Sequence, residues 1–281
     1  MAIQLIVDSC CDSVPALQRG LDLHVVPLKV QVGADREIID DGSTPSKVIL
    51  TQMSQKGEKV RSSCPSPLDF KRFMGQGDCM VITLSGKLSG SYQSALIAKA
   101  MCVAEHPEQR VHVFDSKSAS AGELKIAVAI REWERQGKSF DEIVTLAEQM
   151  IAKMKTMFVL EDLGNLIRNG RLGKVTGAAL SALSVRCILG DDGNGEVKLV
   201  GKAIGSARAL LKLTDYVNKN TEGRPKKSVD LVLSQCNCME KAAKLKADLL
   251  RRCKAVRSVT VVPTSGVSTL YANNGGIVVA F

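Results

Sequence analysis

The chain has 281 residues, 45% of them hydrophobic, with a net charge of +9, nine cysteines and only 4% aromatic residues. That length and apolar content support one large buried core or two ordinary domains, of which two fit better. No run approaches the roughly 20 apolar residues that cross a bilayer, and Met1-Ala-Ile-Gln-Leu-Ile-Val-Asp8 lacks the basic start and apolar length of a signal peptide, so a cytoplasmic protein is expected.

Strands and helices alternate along the chain. Ile3 to Val7 reads as a strand, Leu23 to Val32 as one or two more, Pro45 to Met53 as a short helix and Pro67 to Phe73 as another, with Ser66-Pro67 as N-cap and first position. A strand at Cys79 to Leu84 leads into a helix from Ser89, and Val111 to Phe114 is the next strand. Helices follow at about 119–135 and 139–154, the second opened by the capping box Ser139-x-x-Glu142.

Beyond that point Met157 to Leu160 is a strand, Asp162 to Asn169 a helix stopped by Gly170, and 175–183 a helix of small residues. Strands at Val185 to Leu189 and Glu196 to Val200 flank the turn Asp191-Asp-Gly-Asn-Gly195, a hairpin signal. The helix Ser206 to Asn218, the strand Ser228 to Leu233, the basic helix Met239 to Lys254 and strands at Val256 to Val262 and Gly276 to Ala280 complete the order. The expected fold is α/β in two domains: residues 1–156 around a mostly parallel sheet, and residues 157–281 with the hairpin.

The segment Leu84-Ser-Gly-Lys-Leu-Ser-Gly-Ser-Tyr-Gln-Ser-Ala95 carries the strongest signal of chemistry. It joins a buried strand to a helix, where free N–H donors and the positive end of the helix dipole favour an anion. Ser89 is therefore a candidate ligand hydroxyl with Gly90 and Ser91 beside it, although an ordinary serine cap explains the same residues. Polar turns Val7-Asp-Ser-Cys-Cys-Asp12 and Phe114-Asp-Ser-Lys-Ser-Ala119 end other strands, placing Asp8, Ser9, Asp115 and Ser116 on the same rim. For the aspartates, bonding local backbone is the better reading. In Arg61-Ser-Ser-Cys-Pro-Ser66, either Ser62 or Ser63 can point into that crevice.

The cysteines are expected to be reduced and mostly buried. Cys236-Asn-Cys238 has no histidine at ligand spacing, so no metal is expected. The positive charge gathers late, in Arg224-Pro-Lys-Lys227 and from Lys241 to Arg257, which reads first as a solvated basic helix and then as a face for an acidic protein or nucleic acid. No aromatic stacking platform supports a nucleic-acid module. No Gly-x-Ser-x-Gly elbow, Walker loop or base-paired nucleophile supports an independent enzyme.

Together these motifs resemble the DegV family: the Asp-Ser turn after the first strand, the Ser-Ser-x-Pro-Ser loop, Leu-Ser-Gly-Ser-Tyr-Gln-Ser-Ala, Val-Phe-Asp-Ser, the hairpin with Asp192-Gly193, and Asp162-Leu-Gly-Asn-Leu-Ile-Arg-Asn-Gly-Arg-Leu172. The resemblance runs from end to end. It implies a two-domain α/β protein that binds a long-chain fatty acid without catalysing a reaction or using a cofactor. It also implies a separate ATP-dependent fatty acid kinase as partner. The carboxylate-binding hydroxyls it implies are Ser62, where threonine is usual, and Ser89, with Gly90 for close approach. Arg171 matches a Gly-Arg-Ile/Leu pattern and either faces the pocket or a partner or bonds carbonyls to close a loop. Two positions depart from the family: Tyr271 stands where a histidine is common, and Ile204 where an arginine linked to the kinase is common.

Overall fold

The computed structural model describes residues 3–34, 36–54, 59–75, 77–172 and 185–281; the helix expected at 175–183 lies outside the described residues. The first half runs β1 (Gln4–Asp8), α1 (Pro15–Gly20), β2 (Leu23–Val26), β3 (Lys29–Val32), β4 (Arg36–Ile39), α2 (Ser46–Met53), β5 (Val60–Ser63), α3 (Pro67–Met74), β6 (Cys79–Thr83), α4 (Ser91–Glu105), β7 (Val111–Asp115), α5 (Ala121–Arg135) and α6 (Phe140–Lys153). The second half runs β8 (Thr156–Val159), α7 (Gly164–Arg168), β9 (Val185–Asp191), β10 (Val197–Ile204), α8 (Ser206–Asn220), β11 (Val229–Gln235), α9 (Met239–Arg252), β12 (Val256–Pro263), α10 (Gly266–Ala272) and β13 (Ile277–Ala280).

β2-β1-β6-β7 form a wholly parallel sheet. Its strands read as continuous apolar runs because both faces are covered. Ile6 and Val81 pack with α3 and α4 on one side, while Leu5, Val7, Met80 and Ile82 pack with α5 and α6 on the other. Both α3 and α6 start in capping boxes, Ser66 with Asp69 and Ser139 with Glu142.

β10-β9-β8-β13-β11-β12 form a mixed sheet, antiparallel except for the β11–β12 pair. Successive strand residues face opposite ways. In β13, Ile277 and Val279 join a core under α8 and α9, whereas Val278 and Ala280 turn to the core that contains α5. α5 is thus packed between the two sheets.

A third sheet, antiparallel with order β4-β3-β5, departs from the sequence reading. Leu23 to Val32 splits at Pro27, which has no N–H for a ladder. Its second piece, β3, leaves the parallel sheet and pairs with the polar segments Arg36–Ile39 and Val60–Ser63. Those segments lack the apolar alternation that marks a half-buried strand.

Candidate functional site

The loops after β1, β6 and β7 meet on one rim. Asp8, fully buried, accepts the Cys10 and Leu84 N–H groups at 3.0 Å each and so ties the first two loops together. Asp115 accepts the Gly86 and Lys117 N–H groups at 3.0 Å. The aspartates hold backbone, as expected of them. Ser85 donates to the Gly195 carbonyl at 2.8 Å, which ties the turn of the β9–β10 hairpin to the same rim.

Ser89 sits one residue before the N-cap Gly90 of α4, and its Oγ accepts the Ser91 N–H at 3.2 Å. A Cβ on Gly90 would lie 3.0 Å from the Cys64 sulfur, so the glycine admits the β5–α3 loop. The register of β5 resolves the choice between neighbouring serines. Ser62 lines a cavity and Ser63 is exposed, because consecutive residues of a strand face opposite sides. From α10, Tyr271 brings its OH to 2.9 Å from Ser62 Oγ across 209 residues of sequence.

Ser62, Ser89, Arg171 and Tyr271 all line this one cavity, which encloses about 900 Å³ of empty space including its open mouth. Leu28, Leu84, Leu88, Leu160, Leu166 and Val267 supply apolar wall. Along β8 the lining extends from Leu160 to Thr156, four strand steps or roughly 13 Å. The hairpin contributes Val197 and Gly195 to the wall, and the Ser118 and Thr156 hydroxyls, which also line it, are paired to each other at 2.6 Å. Gly90, Ser91 and Ser116 do not line the cavity. Ser91 is buried beneath Ser89, and Ser116 Oγ turns back to the Ser118 carbonyl at 3.1 Å.

Arg171 combines two of its expected roles. Its Nε donates to the Leu88 carbonyl at 3.1 Å and Nη1 to the Asn169 carbonyl, so it closes the loop while presenting positive charge at the cavity. Ser89 and Arg171 also border an outer polar groove with Lys87, Tyr92 and Asn169. The head end of a bound molecule would therefore remain reachable from solvent.

Beside this cavity, whose lining includes Cys10, lies a buried acid cluster. Asp8, Cys10 and Glu123, all buried, hold ligating atoms within 4.8 Å of one another. Burial raises Asp8 to about 6 against the lowering effect of the Leu84 N–H. Burial first and Asp8 second push Glu123 well above the usual carboxylate range. The Cys10 thiol is pushed up by burial and by the neighbouring carboxyls, and it stays a thiol rather than a thiolate. A metal needs deprotonated ligands. Asp8 is already bonded to backbone N–H groups through both oxygens, whereas both Glu123 oxygens are without a hydrogen-bond partner.

Several late basic residues are ion-paired: Arg251 with Asp248, Arg252 with Asp215, Arg257 with Asp230 and Lys241 with Glu161. The basic helix α9 is thus partly neutralised, by its own Asp248 and by Asp215 and Glu161 from neighbouring segments. No helix among the described residues is long and apolar enough to cross a membrane.

The family model described as "Uncharacterised protein, DegV family" matches residues 2–281. The chain belongs to the DegV family. A DegV domain-containing protein of Streptococcus pneumoniae is 33% identical over 287 aligned positions, covering 100% of this chain and 99% of that one. A DegV structure from Ruminococcus gnavus with vaccenic acid superposes with TM-score 0.93 at 35% identity, covering 99% of each chain. The Streptococcus pneumoniae Fatty Acid Kinase (Fak) B3 protein loaded with linoleic acid superposes with TM-score 0.90 at 30% identity, covering 100% of this chain and 99% of that chain. The arrangement of parallel and mixed sheets in this DegV chain is that of these structures.

Proposed function

We propose that this DegV protein binds a long-chain fatty acid, its tail in the cavity and its carboxylate at Ser62, Ser89 and Tyr271, close to Arg171. The observation that carries the reading is a cavity with leucine walls that Ser62, Ser89, Arg171 and Tyr271 line from four separate segments of the chain, with the Ser62 and Tyr271 hydroxyls 2.9 Å apart. Solved DegV relatives hold vaccenic and linoleic acid, molecules of that shape and polarity. It acts as a binding protein, not a catalyst. The hydroxyls donate to a carboxylate, and charge-assisted bonds of this kind are the strong ones.

The tail supplies most of the affinity at about 0.8 kcal/mol per buried methylene, which is roughly fourfold per carbon. Displacement of a fluorescent fatty acid tests this. Affinity is expected to climb by about that factor per carbon and level off when the cavity is full; no dependence on chain length overturns the reading. Val197, half-exposed in the cavity wall, offers a control on the space left for the tail. Val197→Phe is expected to lower the preferred chain length in the same assay while leaving short chains within about twofold.

We further propose a cytosolic location, supported by nine free cysteines, and a division near residue 156, supported by a six-stranded sheet whose strands all follow that point. The partner proposed is a fatty acid kinase, by likeness to the Fak B3 protein. Ile204, 62% exposed at the end of β10, would give that partner an apolar contact where relatives are expected to offer arginine.

A further inference from the structure

We propose that Asp40, seconded by Asp12, is the positioning residue of the head-group site: it sets Tyr271 against Ser62 without touching either. This rests on the fatty-acid reading above. Tyr271 rides on α10, a seven-residue helix whose N-cap Ser265 makes no side-chain cap. Isolated helices this short are marginal in water, so something must hold it in place.

Carboxylates from the first half of the chain do so. Asp12 accepts the Ser265 N–H at 2.8 Å, and Asp40 accepts the Gly266 and Val267 N–H groups at 2.7 and 2.8 Å, one on each oxygen. Negative charge at this end also complements the helix dipole. Gly266 is needed for the approach, since a Cβ there would lie 2.5 Å from Asp40 Oδ1.

Asp40 belongs to the frame that carries Ser62. It follows β4, and its N–H donates to the Leu28 carbonyl at 2.9 Å beside β3, which pairs with β5. Ser9 fixes the carboxylate, its hydroxyl donating to Asp40 Oδ2 at 2.9 Å and accepting the Leu28 N–H at 3.0 Å. The far end of α10 is held by Asn165, whose Nδ2 donates to the Leu270 carbonyl at 2.7 Å. Tyr271 stands five residues, roughly 7.5 Å of helix rise, beyond Gly266. A small tilt at the Asp40 clamp therefore moves the phenol away from Ser62; of the cavity's apolar wall α10 carries Val267 and Ala272, while the lining leucines sit on other segments.

The test compares palmitic acid with 1-hexadecanol on the purified full chain, in wild type, Asp40→Asn and the milder Ser9→Ala. Asparagine keeps the shape but offers only one acceptor to two N–H groups. A positioning role is expected to cost palmitic acid roughly tenfold in Asp40→Asn, and less with the same sign in Ser9→Ala, while hexadecanol changes by less than about threefold. A parallel loss of both ligands marks general loosening and overturns the inference, as does no loss in either variant. If Asp40→Asn does not fold, Ser9→Ala decides by the same comparison. Wild type that binds neither ligand overturns the fatty-acid reading itself and this inference with it.

Discussion

Glu123→Gln is expected to stabilise the protein at pH 8 and to leave it nearly unchanged at pH 4. Glu123 is fully buried against Asp8, and neither of its oxygens has a hydrogen-bond partner. Folding forces it to keep a proton that the unfolded chain releases as pH rises. Asp8 adds to the effect, its folded value lying at about 6 rather than 3.8, mainly through burial. A raised carboxyl leaves stability intact below the unfolded value and removes it as pH climbs to the folded one. For Asp8 the window is about pH 4 to 6, and the loss by pH 7 is about 3 kcal/mol.

Asp12 faces the same cluster and adds to the difficulty of placing a second negative charge there, while a hydrogen bond from the Cys10 thiol works the other way. Glutamine removes the proton requirement and can donate to Asp8. Thermal unfolding across pH 4–8 should show a midpoint gain of a few degrees at the alkaline end. Asp8→Asn removes its own pH-dependent penalty but turns an amide toward the Cys10 or Leu84 N–H at a cost of about 2 kcal/mol, so it should be less stable than wild type at pH 4, where Glu123→Gln is nearly neutral. A Glu123→Gln midpoint that falls with pH in step with wild type would contradict the assignment.

The second large effect lies at the head group. Ser62→Ala with Ser89→Ala should weaken a long-chain fatty acid by about a hundredfold or more, since each deletes a hydroxyl bond to a charged group worth about 1.5–3 kcal/mol. The matching alcohol should weaken far less. Isothermal titration with both ligands checks this; equal losses would place the carboxylate elsewhere in the cavity.

How much of this was legible in the chain differs residue by residue. β1, β6 and β7 announce themselves because a sheet covered on both faces must be apolar throughout. Ser89 was legible from local chemistry, a hydroxyl at a strand-to-helix turn. Ser62 was not separable from Ser63 until pairing fixed which way β5 faces.

β5 and α10 escaped the sequence reading for a common reason: what stabilises them is remote. β5 is a run of polar residues paired to β3, and α10 takes its caps from Asp12 and Asp40, 253 and 226 residues away. Glu123 lies in the first turn of α5, the place where solvent usually supports such a charge. Burial between two sheets makes it something else. The resemblance put Ser62, Ser89, Arg171 and Tyr271 on one list; the structure puts them around one cavity.

Native mass spectrometry of the purified protein, followed by denaturing extraction and lipid identification, tests the central claim most directly. The expected result is one fatty acid per chain, carried in whole or part from expression or taken up from added palmitic or oleic acid, and reduced in Ser89→Ala. No bound lipid together with no uptake of added long-chain acids would contradict it.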